Sequence, residues 1–198
     1  MKHNWIPERK LAGGWLCLLL VLLLTGCAAT SILPRHYHEP AQVQSYKLGL
    51  VTAPGQTEDS LLVVQPDAGG ASRWIQTNPL GAPLARLLLR DGDWTNDGFA
   101  PPNPRARQLF EAIIAAQIGK KQWANAYPEV DITPVKTGGM RNAYTFSRHG
   151  RTLWSLQLPA TPHDQGRRQT APPVSDSVIH ITLPDDSQWQ LTPIATSP

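Results

Sequence analysis

Few residues of this chain have the types and spacing that catalysis or metal binding requires. His163 and Asp164 could supply two members of a Ser-His-Asp triad, but no G-x-S-x-G or other nucleophile signature accompanies them. They stand in a proline-rich stretch, for which a solvated loop is the simpler interpretation. His36, His38 and Glu39 could bind a metal loosely, yet they lack partners at the spacing of structural sites. We therefore expect neither an enzyme nor a metal site.

A further acidic segment could be taken for a calcium loop. Asp91-Gly92-Asp93 and Asp97-Gly98 have suitable oxygen ligands, but the twelfth position counted from Asp93 is Pro104 rather than Glu. Asp-Gly is also a strong signal for a two-residue hairpin turn. The segment therefore predicts a turn between two strands.

Cys27 has the sequence context of a modification site. A basic amino terminus is followed by an apolar run, Leu11–Leu24, and then by Leu24-Thr25-Gly26-Cys27. This order is that of a secretory signal, and the run is shorter than the about 20 apolar residues that a spanning helix needs. Its ending resembles a bacterial lipoprotein signal. The alternative, a secreted protein with an accidental cysteine, leaves a free thiol unexplained.

The lipoprotein resemblance implies that the chain is cleaved before Cys27. The sulfur of Cys27 would carry diacylglycerol and its new amine an acyl group, with no other cofactor. Several acyl chains make membrane anchoring effectively permanent. Ala28, where an Asp would favour the inner membrane, implies an anchor in the outer membrane with the domain facing the periplasm. We expect a signal peptide at 1–26, a lipidated cysteine and tether at 27–43, and a folded domain at 44–198.

The charge balance argues against a nucleic-acid partner. The formal net charge is +3, but most of this charge lies in the amino-terminal segment, and the chain from Cys27 onward carries only +1. A nucleic-acid-binding surface would need clustered Lys and Arg residues with aromatic platforms. Cys17 lies in the signal, so Cys27 is the only cysteine of the mature chain and no disulfide can form. We expect a monomer whose core alone stabilises it.

The rest of the chain has the pattern of short strands separated by turns. Five strands before one helix indicate an antiparallel meander, and later hairpins follow His149-Gly150 and Pro184–Ser187. Leu61–Val64 and Leu87–Leu89 are apolar at consecutive positions, so part of the sheet is either covered on both faces or lines an apolar cavity. The predicted strands are Tyr46–Val51, Leu61–Gln65, Ser72–Thr77, Pro83–Arg90, Asp93–Phe99, Ile132–Val135, Ala143–Arg148, Thr152–Leu158, Val178–Leu183 and Trp189–Ile194.

One helix is well marked between the two groups of strands. Asn103 can cap it, Pro104 suits its first turn, and Gly119 can end it. Its apolar stripe must pack on the sheet, while Arg105, Arg107, Gln108 and Glu111 are expected largely on other sides. A second short helix within 120–131 is a further possibility. The stripe consists of Leu109, Phe110, Ile113, Ile114 and Ile118.

Part of this pattern resembles the LolB-like outer-membrane lipoproteins. The turn Thr77–Gly81 after a strand of matching length is the most specific part, and the helix at 103–119 follows the same meander. The hairpin from Tyr144 through Gly150 to Trp154 also keeps its place. The similarity covers roughly residues 45–194. The chain departs from the family before the first strand, where a leading helix is absent, and in 120–131.

The resemblance implies a fold that is mainly β with α: an incomplete antiparallel barrel of about ten strands wrapped around one or two helices. It also implies a cavity for acyl chains, and lipoproteins received from a periplasmic LolA-like carrier. Pro79, Leu80 and Gly81 would form a loop that contacts the bilayer, although Leu80 could instead plug the barrel end. Residues that would line the cavity or fill it as core are Trp74, Leu87, Leu109, Phe110, Ile113, Ile114, Trp154 and Trp189.

Two functions follow from the sequence. The first is an outer-membrane lipoprotein that binds acyl chains or similar apolar cargo and assists its transfer or insertion at the membrane. The second is a non-carrier lipoprotein that uses the same fold as a protein-interaction module, through its rim or the loop Pro159–Asp176.

Overall fold

The computed structural model describes residues 31–98, 103–135, 142–159 and 178–195, which belong to a compact unit spanning Ser31–Pro198. It is mainly β, as predicted, with one ten-stranded antiparallel sheet and two short α-helices. The elements are β1 (Gln44–Ala53), β2 (Gln56–Asp67), β3 (Ala71–Thr77), β4 (Pro83–Arg90), β5 (Asp93–Asn96), α1 (Pro104–Ile118), a 3-10 turn (Lys120–Gln122), α2 (Trp123–Ala126), β6 (Asp131–Pro134), β7 (Ala143–Arg148), β8 (Arg151–Gln157), β9 (Ile179–Thr182) and β10 (Gln188–Ile194).

The sheet consists of two meanders that meet at β1 and β10. Its order is β5-β4-β3-β2-β1-β10-β9-β8-β7-β6, so within the described chain the sheet is open and β5 and β6 are its edges. Both Asp91-Gly92 and His149-Gly150 have positive φ angles at the two turn residues, which is the requirement of a tight hairpin turn. The predicted meander and the predicted hairpin turns at Asp91-Gly92 and His149-Gly150 are confirmed.

Strand β2 is longer than predicted, and its outer side is only partly covered. It runs to Asp67, so Pro66 and Asp67 pair with β3 and the turn contains only the three residues after them. Leu62 is fully buried, whereas the side chain of its neighbour Leu61 is 38% exposed. The consecutive apolar residues therefore do not mean that both faces are covered along the whole of this strand.

Helix α1 begins and ends where its sequence signals predict. The side chain of Asn103 accepts a hydrogen bond from the backbone N–H of Ala106 at 3.0 Å, and Gly119 follows the helix with a φ of 76°. Every residue from Leu109 to Ala116 is buried, including Glu111. Eight consecutive buried residues cover more than two helical turns. Residues 109–116 are thus covered on all sides of the helix, and Glu111, which was expected largely off the apolar stripe, is buried with them.

The cover of α1 comes from several elements. Phe110 lies 5.3 Å from Trp74 of β3 and 6.1 Å from Trp94 of β5, measured between ring centroids. The helix also contacts β8 and β9 on the other half of the sheet. The indole of Trp123 donates a hydrogen bond to the backbone carbonyl of Ala115 at 2.7 Å, which ties α2 to α1. The second short helix that was predicted within 120–131 is confirmed as α2.

Candidate functional site

The turn between β3 and β4 is fixed by its own hydrogen bonds. The backbone N–H of Asn78 donates to the carbonyl of Ala82, and that of Gly81 donates to the carbonyl of Asn78, both at 2.9 Å. The side-chain oxygen of Asn78 accepts from the N–H groups of Leu80 at 3.1 Å and Ala82 at 2.8 Å. Asn at the first position, Pro at the second and Gly at the fourth are the preferences of a tight β-turn. The turn therefore has a defined shape without help from the core.

Leu80 at the tip of this turn is the most exposed large apolar residue that the structure describes, with 93% of its surface accessible. Its neighbours Pro79 and Gly81 are also exposed, and Leu84 at the start of β4 is 45% exposed. An exposed leucine on a defined turn does not plug the end of a barrel. That alternative for Leu80 is wrong, and the turn is an apolar projection of the molecule.

The strands below this turn are held by ion pairs on their outer face. The carboxylate of Asp97 lies 2.8 Å from the guanidinium of Arg73 and 2.9 Å from that of Arg86. Arg73 also contacts Asp67 at 3.1 Å. The side chains are only partly exposed, and the two arginines belong to adjacent strands. This cluster joins β2, β3, β4 and the segment after β5.

The eight residues expected to line a cavity or to form core all lie in one buried cluster. None is more than 7% exposed, and they include residues of α1 and of four strands. A second aromatic group lies around Phe146, whose ring contacts those of Trp123, Tyr127 and Trp154 at centroid distances of 4.9, 6.0 and 5.5 Å. The side chains of these two groups thus occupy the space between α1 and the strands.

Two polar groups stand within this apolar interior. Glu111 is 4% exposed, and its carboxylate lies 3.3 Å from the guanidinium of Arg107. Burial raises the pKa of Glu111 despite the opposing effects of Arg107, of the Ile32 backbone and of Ser31. Tyr127 is 3% exposed, and its buried hydroxyl makes no hydrogen bond with any described residue. Burial first, and then the nearby Glu111 and Tyr37, raise the pKa of Tyr127.

The segment Ser31–Tyr37, here called the amino-terminal strap, covers these polar groups. Ile32 is buried in the core at 8% exposure, and Leu33 packs against the core. The backbone N–H of Arg35 donates to the carbonyl of Ala126 in α2 at 2.9 Å. This part of the predicted tether is therefore folded onto the helices.

Side chains hold the strap at both ends. The guanidinium of Arg107 donates to the hydroxyl of Ser31 at 2.9 Å, and the hydroxyls of Tyr37 and Ser72 lie 3.4 Å apart. The roles of Glu111, Tyr127 and Ile32 were missed from sequence. The only local signal was an apolar pair, Ile32-Leu33, in an otherwise proline-bearing stretch.

The candidates for metal binding do not form a cluster of three ligands in the described chain. His36 and His38 are exposed, and Glu39 beside them is only half-buried. The residues that the structure describes contain no group of three metal-binding side chains. His163, Asp164 and most of the predicted interaction loop lie outside the described residues, as do the signal peptide and Cys27.

No protein-family model matches the chain, and a search of curated proteins finds no match. Among the described helices, none has both the length and the apolar character needed to cross a membrane. The geometry of the turn, the strap and the core therefore carries the functional argument.

Proposed function

We propose that this protein is anchored in the outer membrane through lipid on Cys27 and assists the transfer of acyl chains or similar apolar cargo into that membrane. The observation that carries the proposal is Leu80, 93% exposed on a turn that its own hydrogen bonds fix. A leucine that enters an apolar phase gains about 1.5 to 3 kcal/mol. The turn suits contact with the bilayer.

The architecture supports a carrier in a second way. We propose that the open sheet is an incomplete barrel that wraps around α1. Support comes from the continuous burial of the helix from Leu109 to Ala116 and from its contacts with both halves of the sheet. Such an interior is mainly apolar, which suits an apolar chain better than a polar substrate.

The energetics of handover need no catalytic residue. An acyl chain of about 16 carbons would gain on the order of 12 kcal/mol gross on burial, before the entropy of ordering it is subtracted. The membrane offers the same chain a comparable gain. A carrier therefore needs a site that holds the chain less well than the bilayer and a contact that shortens the path between them, and Leu80 can supply this contact.

Transfer of a fluorescent fatty acid to vesicles tests this role of Leu80. The protein from residue 28 onward would be loaded with the probe and mixed with phosphatidylethanolamine–phosphatidylglycerol vesicles. We expect Leu80→Glu to slow transfer by about ten-fold or more, the equivalent of losing one leucine insertion, without loss of folding. Val43→Glu is the control, because Val43 is an exposed apolar residue outside the turn. Equal rates for both variants would contradict membrane contact through Leu80.

A further inference from the structure

The amino-terminal strap differs from the rest of the core in how it is held. The strands are joined by continuous ladders of backbone hydrogen bonds, whereas the strap has no such ladder and is held by separate polar contacts, to Arg107, Ala126 and Ser72 and to the carboxylate of Glu111. It also lies at the start of the compact unit. A segment with few backbone hydrogen bonds at the end of a unit opens locally at a lower free energy than a central strand.

The strap covers buried polar groups, and one of them, Glu111, would lose hydrogen bonds if the strap left. The carboxylate of Glu111 has Arg107 beside it, and its other hydrogen bonds come from Ser31 and the backbone of Ile32. The hydroxyl of Tyr127 is buried with no partner among the described residues, and it lies close enough to Glu111 and Tyr37 to interact with both. Buried polar groups are nearly always paired, so this hydroxyl is expected to meet either water or a ligand oxygen.

The strap also contributes two apolar side chains to the buried core. Ile32 is part of the buried cluster and Leu33 packs against it, so two aliphatic side chains lie among the core residues. Because the strap shares no backbone ladder with the described strands, these side chains can leave without unfolding the sheet. An aliphatic chain of similar width can then replace them.

We propose that the amino-terminal strap is a displaceable cover over an acyl-binding site. In this site the cargo chain lies where Ile32 and Leu33 now lie, and its ester or amide carbonyl accepts a hydrogen bond from the hydroxyl of Tyr127. The inference rests on the proposed function and deepens it, because it names where the cargo enters and which side chain recognises the linkage. The unpaired hydroxyl belongs to Tyr127, and the carbonyl of the preceding residue, Ala126, binds the strap, so the two observations meet at one place.

Cysteine labelling tests the opening of the strap. The protein from residue 28 onward contains every described element and no cysteine. Ile32→Cys in the strap and Ala143→Cys in β7 place thiols at sites of nearly equal exposure, 8% and 7%. We expect Ile32→Cys to react with a maleimide about ten-fold faster or more, and faster still with cis-parinaric acid present. Equal rates for the two variants would overturn the displaceable cover.

The variant Tyr127→Phe tests recognition of the linkage, since it removes only the hydroxyl. We expect it to bind an acylated peptide about five-fold less tightly and to bind diphenylhexatriene, an apolar probe with no carbonyl, as well as the unmodified protein does. Unchanged affinity for both probes would mean that the hydroxyl meets only water, which overturns its role.

The two tests separate this inference from the proposed function. Saturable binding of the probes together with equal labelling of Ile32→Cys and Ala143→Cys overturns the strap alone. If the folded protein binds neither probe, the proposed function fails and this site fails with it. Faster labelling of Ile32→Cys in a protein that binds its probes supports both.

Discussion

At the scale of single residues, Asn78 shows how one side chain can shape a projecting turn. Its oxygen accepts two backbone N–H groups, so the turn around Leu80 holds its shape while exposed to water. We expect Asn78→Ala to lower the free energy of unfolding by about 1 kcal/mol, because exposed hydrogen bonds are partly replaced by water. Urea denaturation measures this. Asn78→Asp keeps an oxygen acceptor and should retain most of the stability; equal losses in both variants would contradict the role of the acceptor.

Glu111 gives a second prediction at the residue scale, through its titration. Its pKa is raised in the folded state by burial, so the folded protein holds this proton more strongly than the unfolded chain. The resulting stability is fully present below the unfolded pKa, near 4.5, and is lost as the pH rises through the raised folded pKa.

Urea denaturation between pH 4 and 7 checks the sign of this effect. Relative to Glu111→Gln, the unmodified protein should lose stability as the pH rises, since only it must ionise a buried carboxyl group. A gain in relative stability over this range would mean that the bond with Arg107 outweighs burial.

At the scale of elements, α1 organises the core through Phe110, which contacts tryptophans of β3 and β5. We expect Phe110→Ala to lower the free energy of unfolding by about 3 to 5 kcal/mol, because a large cavity is left between helix and sheet. Phe110→Leu, which keeps most of the volume, should cost clearly less, as measured by urea denaturation. Equal costs would show that ring contacts rather than volume matter at this position.

The helices and strands also show which features of the structure can be predicted from sequence patterns. Alternation and turn residues predicted all ten strands and α1 because these signals are local, as in Asp91-Gly92 and the cap Asn103. The burial of Glu111 was not predictable, since it depends on the strap, which begins 80 residues earlier in the chain. The exposure of Leu80 was one of two alternatives that the sequence left open, whereas the unpaired hydroxyl of Tyr127 depends on packing around it.

At the scale of the whole molecule, two meanders joined at β1 and β10 form one sheet that is open within the part of the chain the structure describes, and both halves contact α1. The apolar turn lies between β3 and β4, and the strap contacts α1, α2 and β3. The carrier proposal assigns a role to each of these two features: the turn would contact the membrane, and the strap would cover the interior.

Saturable binding of an acyl chain tests the carrier proposal most directly. The protein from residue 28 onward, which lacks both cysteines, would be titrated with cis-parinaric acid and followed by fluorescence. We expect saturation near one probe per chain and displacement of the probe by an acylated peptide. Absence of saturable binding by the folded protein would contradict a carrier and would favour a protein-interaction module on the same fold.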